Sequence, residues 1–578
     1  MKVTGARLLV EALKKENVEV VFGYPGGYII PAFDELYGEE SIELILPRHE
    51  QGLIHAADGY ARSTGRVGVC LVTSGPGATN TITGLATANF DSVPIVCFTG
   101  QVPLKLIGKS AFQEADVVEL TKSVCKRNYI VNDRKDLGYI IKEAFYIAST
   151  GRPGPVVVDL SVDILKAMGD DYYPETTNVS GYCPLIKGDP RQIAMVAEKL
   201  SKASKPLLLA GGGLHVSNGC DIFREFAEKI GAPVVSSLLG KGTIPGDHPL
   251  YIGMVGMHGV YAANKAITDC DLLFTIGTRL NDRMTGNLDY FAPNAEIIHI
   301  DIDPTNIGKN VPVEISIVGD AKAILEQLLP LVRKVDIIHW IKEIKTWEKE
   351  HSLKVIPGKE RLSPTEVIQC MNEQFPEAIT TTDVGQHQMW TSQFYRIYKT
   401  RTFLSSGGLG TMGYGLPAAI GAQIGNREKR VLVISGDGGL QMNIQELAIA
   451  VQQELPLIIA VINNNFLGMV RQWQGLFHDR KYSGTCLKKT ITCPKMCNTP
   501  SENCPSYTPD FVKLAEAYGA IGIRVSKQEE ILPALKKAKA SLKTPVLIDF
   551  LVEYEADVLP MVPSGSPLDK MLLTEEMK

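Results

Sequence analysis

The sequence predicts an α/β protein built from three doubly wound, mainly parallel-sheet domains. Short β-branched runs that end in glycine-rich turns and pass into helical periodicity recur along the whole chain. At 578 residues the chain is several times the usual domain size, so about three or four domains are expected. Two stretches rich in turn-forming or charged residues divide it at suitable intervals.

The first block, expected to form a domain over 1–168, carries the strand candidates VEVVFG, GVCLVTSG, PIVCFTG and PVVVDL. The stretch GDDYYPETTNVSGYCPLIKGDP then reads as a linker. A second, Rossmann-like domain over 188–335 opens at KPLLLAGGG and contains DLLFTIG and EIIHIDID. Charged sequence near 335–362 leads to a third domain over 362–560, with strands in AITTTDVG, RVLVISGDGG and LPLIIAVINNN and a Cys-rich insertion at 484–507. No internal repeat is visible in residue identities.

Charged residues make up 21% of the chain, the net charge is -5, and no long basic block occurs, which argues against nucleic acid or an anionic membrane as the main partner. Helical patterning begins at Thr4, and no apolar run is long enough to span a bilayer, so a cytoplasmic protein is expected. Seven of the eleven cysteines are scattered through apolar segments, as Cys70 and Cys97 are, where buried free thiols are expected. Cys486, Cys493, Cys497 and Cys504 crowd one polar stretch instead. They read as ligands for zinc or an iron-sulfur cluster, as a redox clasp, or as free thiols on a surface loop, and their spacing fits no standard ligand pattern.

The most informative segment spans 431–465, VLVISGDGGLQMNIQELAIAVQQELPLIIAVINNN. Two apolar strands flank a helix, so Asp437 and Asn463 to Asn465 fall at carboxyl ends of parallel strands, where open α/β sheets bind ligands. Gly436, Gly438 and Gly439 allow close backbone approach to a phosphate. Asp437 and an Asn side chain offer the hard oxygen ligands that Mg²⁺ prefers beside phosphates. A lone GDG is ordinarily a tight turn, but a GDG matched across one helix and one strand by a double Asn resembles the thiamine diphosphate motif. In the first block, Glu50 follows the strand IELILP and opens an Ala-rich helix. A solvated or capping Glu is the default, yet this setting predicts burial, a raised carboxyl pKa and a part in proton transfer.

FGYPGG, RHEQ, SGPGATN, AFQEAD, GRPGPV, GMHG, TDVGQHQMW, GTMGYGLPAAIGA, GDGG with NNN, and GMVRQW occur in the order found in the acetolactate synthase large subunits. The resemblance covers nearly the whole chain. It implies pyrimidine-binding, central and diphosphate-binding domains, and an enzyme of branched-chain amino acid biosynthesis. Such an enzyme decarboxylates pyruvate on thiamine diphosphate and joins the two-carbon remainder to a second pyruvate or to 2-ketobutyrate. By the match, Glu50 would hydrogen-bond the aminopyrimidine ring, and Gly27, Phe112 and Gln113 would surround the reacting centre. Gln386 and His387 would lie beside the diphosphate with Gly438 and Gly439, while Gly410, Met412 and Met469 would hold the bent cofactor. Asp437, Asn464 and the backbone carbonyl of Phe466 would bind Mg²⁺. Arg283 and Trp473 would hold the acceptor keto acid.

The second block resembles the flavin segments of the biosynthetic enzymes, which implies FAD in a structural role, since the reaction has no net redox step. Gly211, Gly212, His258, Arg279, Asp301 and Asp320 carry that match, with Arg152 of the first block. The resemblance also implies a homodimer or homotetramer with active sites at the subunit interface and leaves room for a regulatory small subunit. The chain departs from the family at Val162, where a Lys is usual, and at the Cys-rich insertion. The competing readings are another thiamine diphosphate-dependent 2-keto acid decarboxylase or acetyltransferase, disfavoured by Gln113, Arg283 and Trp473 together, and a silent regulatory homologue, disfavoured by Glu50, Asp437 and Asn464.

Overall fold

Runs of Val, Ile and Leu build three six-stranded parallel sheets, and helices bury both faces of each, as parallel sheets require. The computed structural model of the protein describes residues 2–498, 504–505 and 507–577. In space the first sheet runs Glu43–Ile45, Val20–Tyr24, Gly68–Val72, Ile95–Gln101, Pro155–Ser161 and Arg127–Val131. The third runs Phe403–Ser405, Ile379–Thr382, Val431–Gly436, Ile458–Asn463, Val546–Leu551 and Ile521–Val525. Counted along the chain within each sheet, both orders are 2-1-3-4-6-5. The two outer blocks therefore repeat one topology that their residues do not advertise. The middle sheet runs Tyr251–Met254, Val234–Ser236, Pro206–Ala210, Leu272–Ile276, Glu296–Asp301 and Ile315–Val318, the 3-2-1-4-5-6 order of a Rossmann fold. In every sheet the order reverses beside the first strand, which opens a crevice at the strand carboxyl ends.

The outer blocks pack on each other through two helices. Glu50–Thr64 starts where His49 Nδ1 accepts the Gln51 N–H at 3.0 Å and ends at Gly65, whose φ of 80° is the left-handed helix stop. Gly415–Gly425 is apolar save for Gln423 and is buried from Gly415 through Ile424. Where the helices cross, a Cβ on Gly59 would stand 2.0 Å from the Ala418 carbonyl oxygen, and one on Gly421 would stand 1.8 Å from that of Ala56. Glycine is required at both positions. One continuous core results, running from Phe22 and Ile54 into Leu416 and Val433. The middle sheet keeps its own core around Phe226, Phe274 and Trp340.

The Cys-rich segment begins as an extension of the third block: Leu467 N–H donates to Thr485 O and Leu487 N–H to Asn465 O, each at 2.9 Å. Residues 499–503 and 506 of the expected insertion lie outside the described residues. Among the described residues no helix is long and apolar enough to cross a membrane.

Candidate active site

The strands Val431–Gly436 and Ile458–Asn463 are neighbours in the third sheet, so Asp437 and Asn464 leave adjacent strand ends. Asp437 opens the short helix Asp437–Leu440 and is buried; burial pushes its carboxyl up to about 8, against backbone N–H groups that include those of Gly438 and Asn465. Among the described residues no Lys or Arg forms an ion pair with it, so a bound cation would offset the cost of its charge. Asn464 Nδ2 donates to Gln386 Oε1 at 3.0 Å, and its Oδ1 accepts the Phe466 N–H at 3.1 Å. His387 is buried with no partner on Nε2, and burial lowers its pKa to about 3, so the ring is neutral.

Glycine stands wherever these loops touch. A Cβ would come within 2.9 Å of His387 Nδ1 at Gly436, 2.2 Å of Gln386 Oε1 at Gly468 and 2.8 Å of Asp383 Oδ2 at Gly439. At Gly438 a Cβ would meet Leu467 at 2.7 Å and the Met412 methyl at 3.7 Å. Such backbone can approach a phosphate closely. Asp383, absent from the sequence reading, organises the floor: Oδ1 accepts from Gly413 N–H at 2.6 Å and Tyr414 N–H at 2.9 Å, and Oδ2 from the Ser435 hydroxyl at 2.7 Å. It ends the strand Ile379–Thr382 in TTDVG as Asp437 ends its own, so the same strand-end argument could have found it.

A cavity of about 810 Å³ opens from this floor toward the middle sheet. Gly212, His258, Arg279, Asp301 and Asp320 line it with Arg152 of the first block, and so do Gly410, Met469, Arg283 and Trp473. Gly211 packs behind its wall, where a Cβ would lie 2.1 Å from the Gly277 carbonyl oxygen. Arg152 is fixed by Ser92 Oγ at 2.9 Å, Asn89 O at 3.0 Å and an ion pair with Asp303 at 3.2 Å. Burial pushes the Asp301 carboxyl up to about 6. His258 Nδ1 is buried without a partner, and burial, reinforced by Arg283, lowers its pKa to about 4. The Arg283 guanidinium lies 5.9 Å from the Trp473 ring centroid, within cation-π range, and the indole N–H is buried and unpartnered. The two residues expected to hold the acceptor therefore face each other.

The first-block residues form a different surface. Glu50 is half-buried in the single chain, not fully buried as expected, because it stands at the first turn of its helix next to half-buried His49 and exposed Arg48, and Gly27 is exposed. Its Oε2 accepts from Asn80 Nδ2 at 2.9 Å. Phe112 is 80% exposed, an apolar area that water covers at a cost. Gln113 sits at φ 62° and packs on Gly75, where a Cβ would be 2.9 Å from its carbonyl oxygen. Among the described residues no hydrogen bond or ion pair joins Glu50 to Asp437 or Asn464 within one chain. Val162 is buried at the start of a short helix capped by Ser161. Among the described residues no group of three or more His, Cys, Asp or Glu is arranged to hold a metal ion.

Comparison with known proteins bears on the same regions. The thiamine pyrophosphate enzyme N-terminal TPP binding domain matches residues 3–120, the central domain matches 193–328, and the C-terminal TPP binding domain matches 383–550. The chain is 46% identical to the acetolactate synthase large subunit of Corynebacterium glutamicum, over 98% of this chain and 89% of that one. It is 44% identical to the acetolactate synthase of Mycobacterium leprae, over 99% and 90%. With the acetolactate synthase large subunit of Haemophilus influenzae it shares 42% identity over 99% of each chain.

Proposed function

The chain belongs to the acetolactate synthase large subunits within the thiamine pyrophosphate enzymes, and from that premise we propose how its residues divide the work. The reaction removes carbon dioxide from pyruvate and joins the remaining two-carbon unit to a second 2-keto acid. When bound, thiamine diphosphate supplies a carbon acid that, once deprotonated, adds to the keto carbonyl, and a cationic ring that accepts the electrons released with carbon dioxide.

Asp437, Asn464 and the Phe466 carbonyl would hold Mg²⁺, and Gln386, His387, Gly438 and Gly439 would line the bed of the diphosphate. One observation carries this reading: a buried carboxyl that, among the described residues, no Lys or Arg pairs with and an Asn side chain emerge from adjacent strand ends among glycines that admit phosphate. Gly410, Met412 and Met469 would support the cofactor. Glu50 moves the proton at the aminopyrimidine, with Asn80 Nδ2 orienting its carboxylate. Gly27, Phe112 and Gln113 close the reacting centre once a second copy of the chain covers them, which supports a homodimer or homotetramer and keeps water from the nucleophilic carbon. The Arg283 guanidinium takes the carboxylate of the acceptor and Trp473 shapes the space for its side chain.

The cavity beside the middle sheet would hold FAD in a structural role. Supporting this are the glycine wall at 211–213, the acidic strand end at Asp301 and the fixed Arg152. The name "large subunit" of the relatives supports a small regulatory partner. The direct test supplies the purified protein with thiamine diphosphate, Mg²⁺, FAD and pyruvate and identifies the product by NMR. Acetolactate is expected; acetaldehyde alone would overturn the assignment.

A further inference from the structure

We propose that Glu446 is a positioning residue for Glu50, holding from the third block the turn that presents the Glu50 carboxylate. This rests on the reading of Glu50 as the proton-transferring group.

Glu446 ends the tight turn Ile444–Glu446 of the third block and is 1% exposed. Its carboxylate reaches across to the first block, where both oxygens accept the Arg48 N–H, at 3.1 and 3.0 Å, and where it also accepts the N–H of His49. Arg48 and His49 are the two residues before Glu50, the first residue of its helix. The chain makes room for this contact: a Cβ on Gly52 would stand 2.6 Å from Glu446 Oε1. Arg48 NH2 adds a hydrogen bond to Gln452 Oε1 at 2.8 Å, so the approach to the helix is clasped from one side. Asn80 holds the Glu50 carboxylate from the other.

Burying a carboxylate is costly, and here the cost shows, because burial raises the Glu446 carboxyl to about 7 despite its backbone donors. An apolar residue would fill the space more cheaply. What an apolar residue lacks is acceptors for the two N–H groups that fix where the helix begins, and so where Glu50 points. A glutamine would keep one acceptor and turn an amide N–H toward Arg48 N–H.

The test uses the full chain loaded with thiamine diphosphate and Mg²⁺, as Glu446→Gln, Glu446→Ala, Gly52→Ala and Glu50→Gln. The readouts are hydrogen–deuterium exchange at C2 of the bound thiazolium by quenched-flow NMR, KM for pyruvate, cofactor affinity by Trp fluorescence, and Tm. In Glu446→Gln and Gly52→Ala, exchange and kcat should fall by about 10²-fold, as a misplaced catalytic group loses rate, while KM and Tm stay near the unsubstituted values. Gly52→Ala keeps the acid and only displaces it, so it reports even if Glu446→Ala fails to fold. Wild-type exchange in Glu446→Gln, or a loss that merely follows Tm or cofactor affinity, overturns the proposal. If Glu50→Gln itself exchanges at the wild-type rate, the reading beneath it fails; if Glu50→Gln is slow and Glu446→Gln is not, this proposal alone fails.

Discussion

Thiol chemistry in this chain is decided residue by residue. Burial raises the pKa of Cys70, Cys97 and Cys270 in the sheet and helix cores, which keeps them protonated and inert. Cys493 differs: the Thr490 N–H donates to its sulfur at 3.4 Å and the Thr490 hydroxyl lies at 3.7 Å, so its pKa is lowered. Limiting iodoacetamide at neutral pH should therefore label Cys493 first, while the three core thiols react only in denaturant. Peptide mass spectrometry reads the order, and uniform labelling in the native state would contradict the assigned burial. Asp159 supplies a second test. Burial pushes its carboxyl up to about 7, although the Thr99 hydroxyl at 2.6 Å and Gln101 Nε2 at 2.9 Å hydrogen-bond it. The folded protein holds this proton more tightly than the unfolded chain, so the group's contribution is complete below about pH 4 and is lost as pH rises through about 7. The Tm advantage of the natural chain over Asp159→Asn should shrink over that window in calorimetry. A constant difference would mean that the carboxyl is not perturbed.

Among elements, the pair Glu50–Thr64 and Gly415–Gly425 governs the geometry, since it locks the two outer blocks together with Glu50 at one end. With its Cβ 1.8 Å from the Ala56 carbonyl oxygen, Gly421→Ala forces the helices apart. The expected cost is about 3 kcal/mol, the upper range for overpacking, read as a lowered Tm with loss of activity. A variant with unchanged Tm would show that the crossing is looser than described. These elements also mark what sequence reveals. Strand ends such as GDGG and NNN are legible because a local pattern fixes both the element and the position of its last residue. The shared 2-1-3-4-6-5 order of the outer sheets is not, because pairing such as that of Ile95–Gln101 with Pro155–Ser161, which skips the intervening strand Arg127–Val131, depends on packing between distant segments. Glu446 escaped for the same reason: its partners lie 398 residues away. Glu50 was placed correctly at a helix start but expected to be buried, and burial depends on surfaces that its own segment does not contain.

At the scale of the whole molecule, the question is which chain completes which site. Glu50, Gly27 and Phe112 present an open face, whereas Asp437, Asn464 and His387 form a buried bed, and no hydrogen bond or ion pair links Glu50 to Asp437 or Asn464 within one chain among the described residues. If each site pairs the Glu50 face of one copy with the Asp437 bed of another, two different inactive chains can rescue each other. Glu50→Gln and Asp437→Ala chains, each inactive alone, are mixed, dissociated and reassembled. A mixed dimer then has one site carrying both substitutions and one site carrying neither. Random pairing of equal amounts should restore roughly a quarter of the unsubstituted activity, since half the dimers are mixed and each has one intact site. A site contained within one chain predicts no recovery at any ratio. Size-exclusion chromatography with light scattering confirms that the mixed chains assemble, so a silent mixture of assembled dimers would exclude the shared site, not merely fail to detect it.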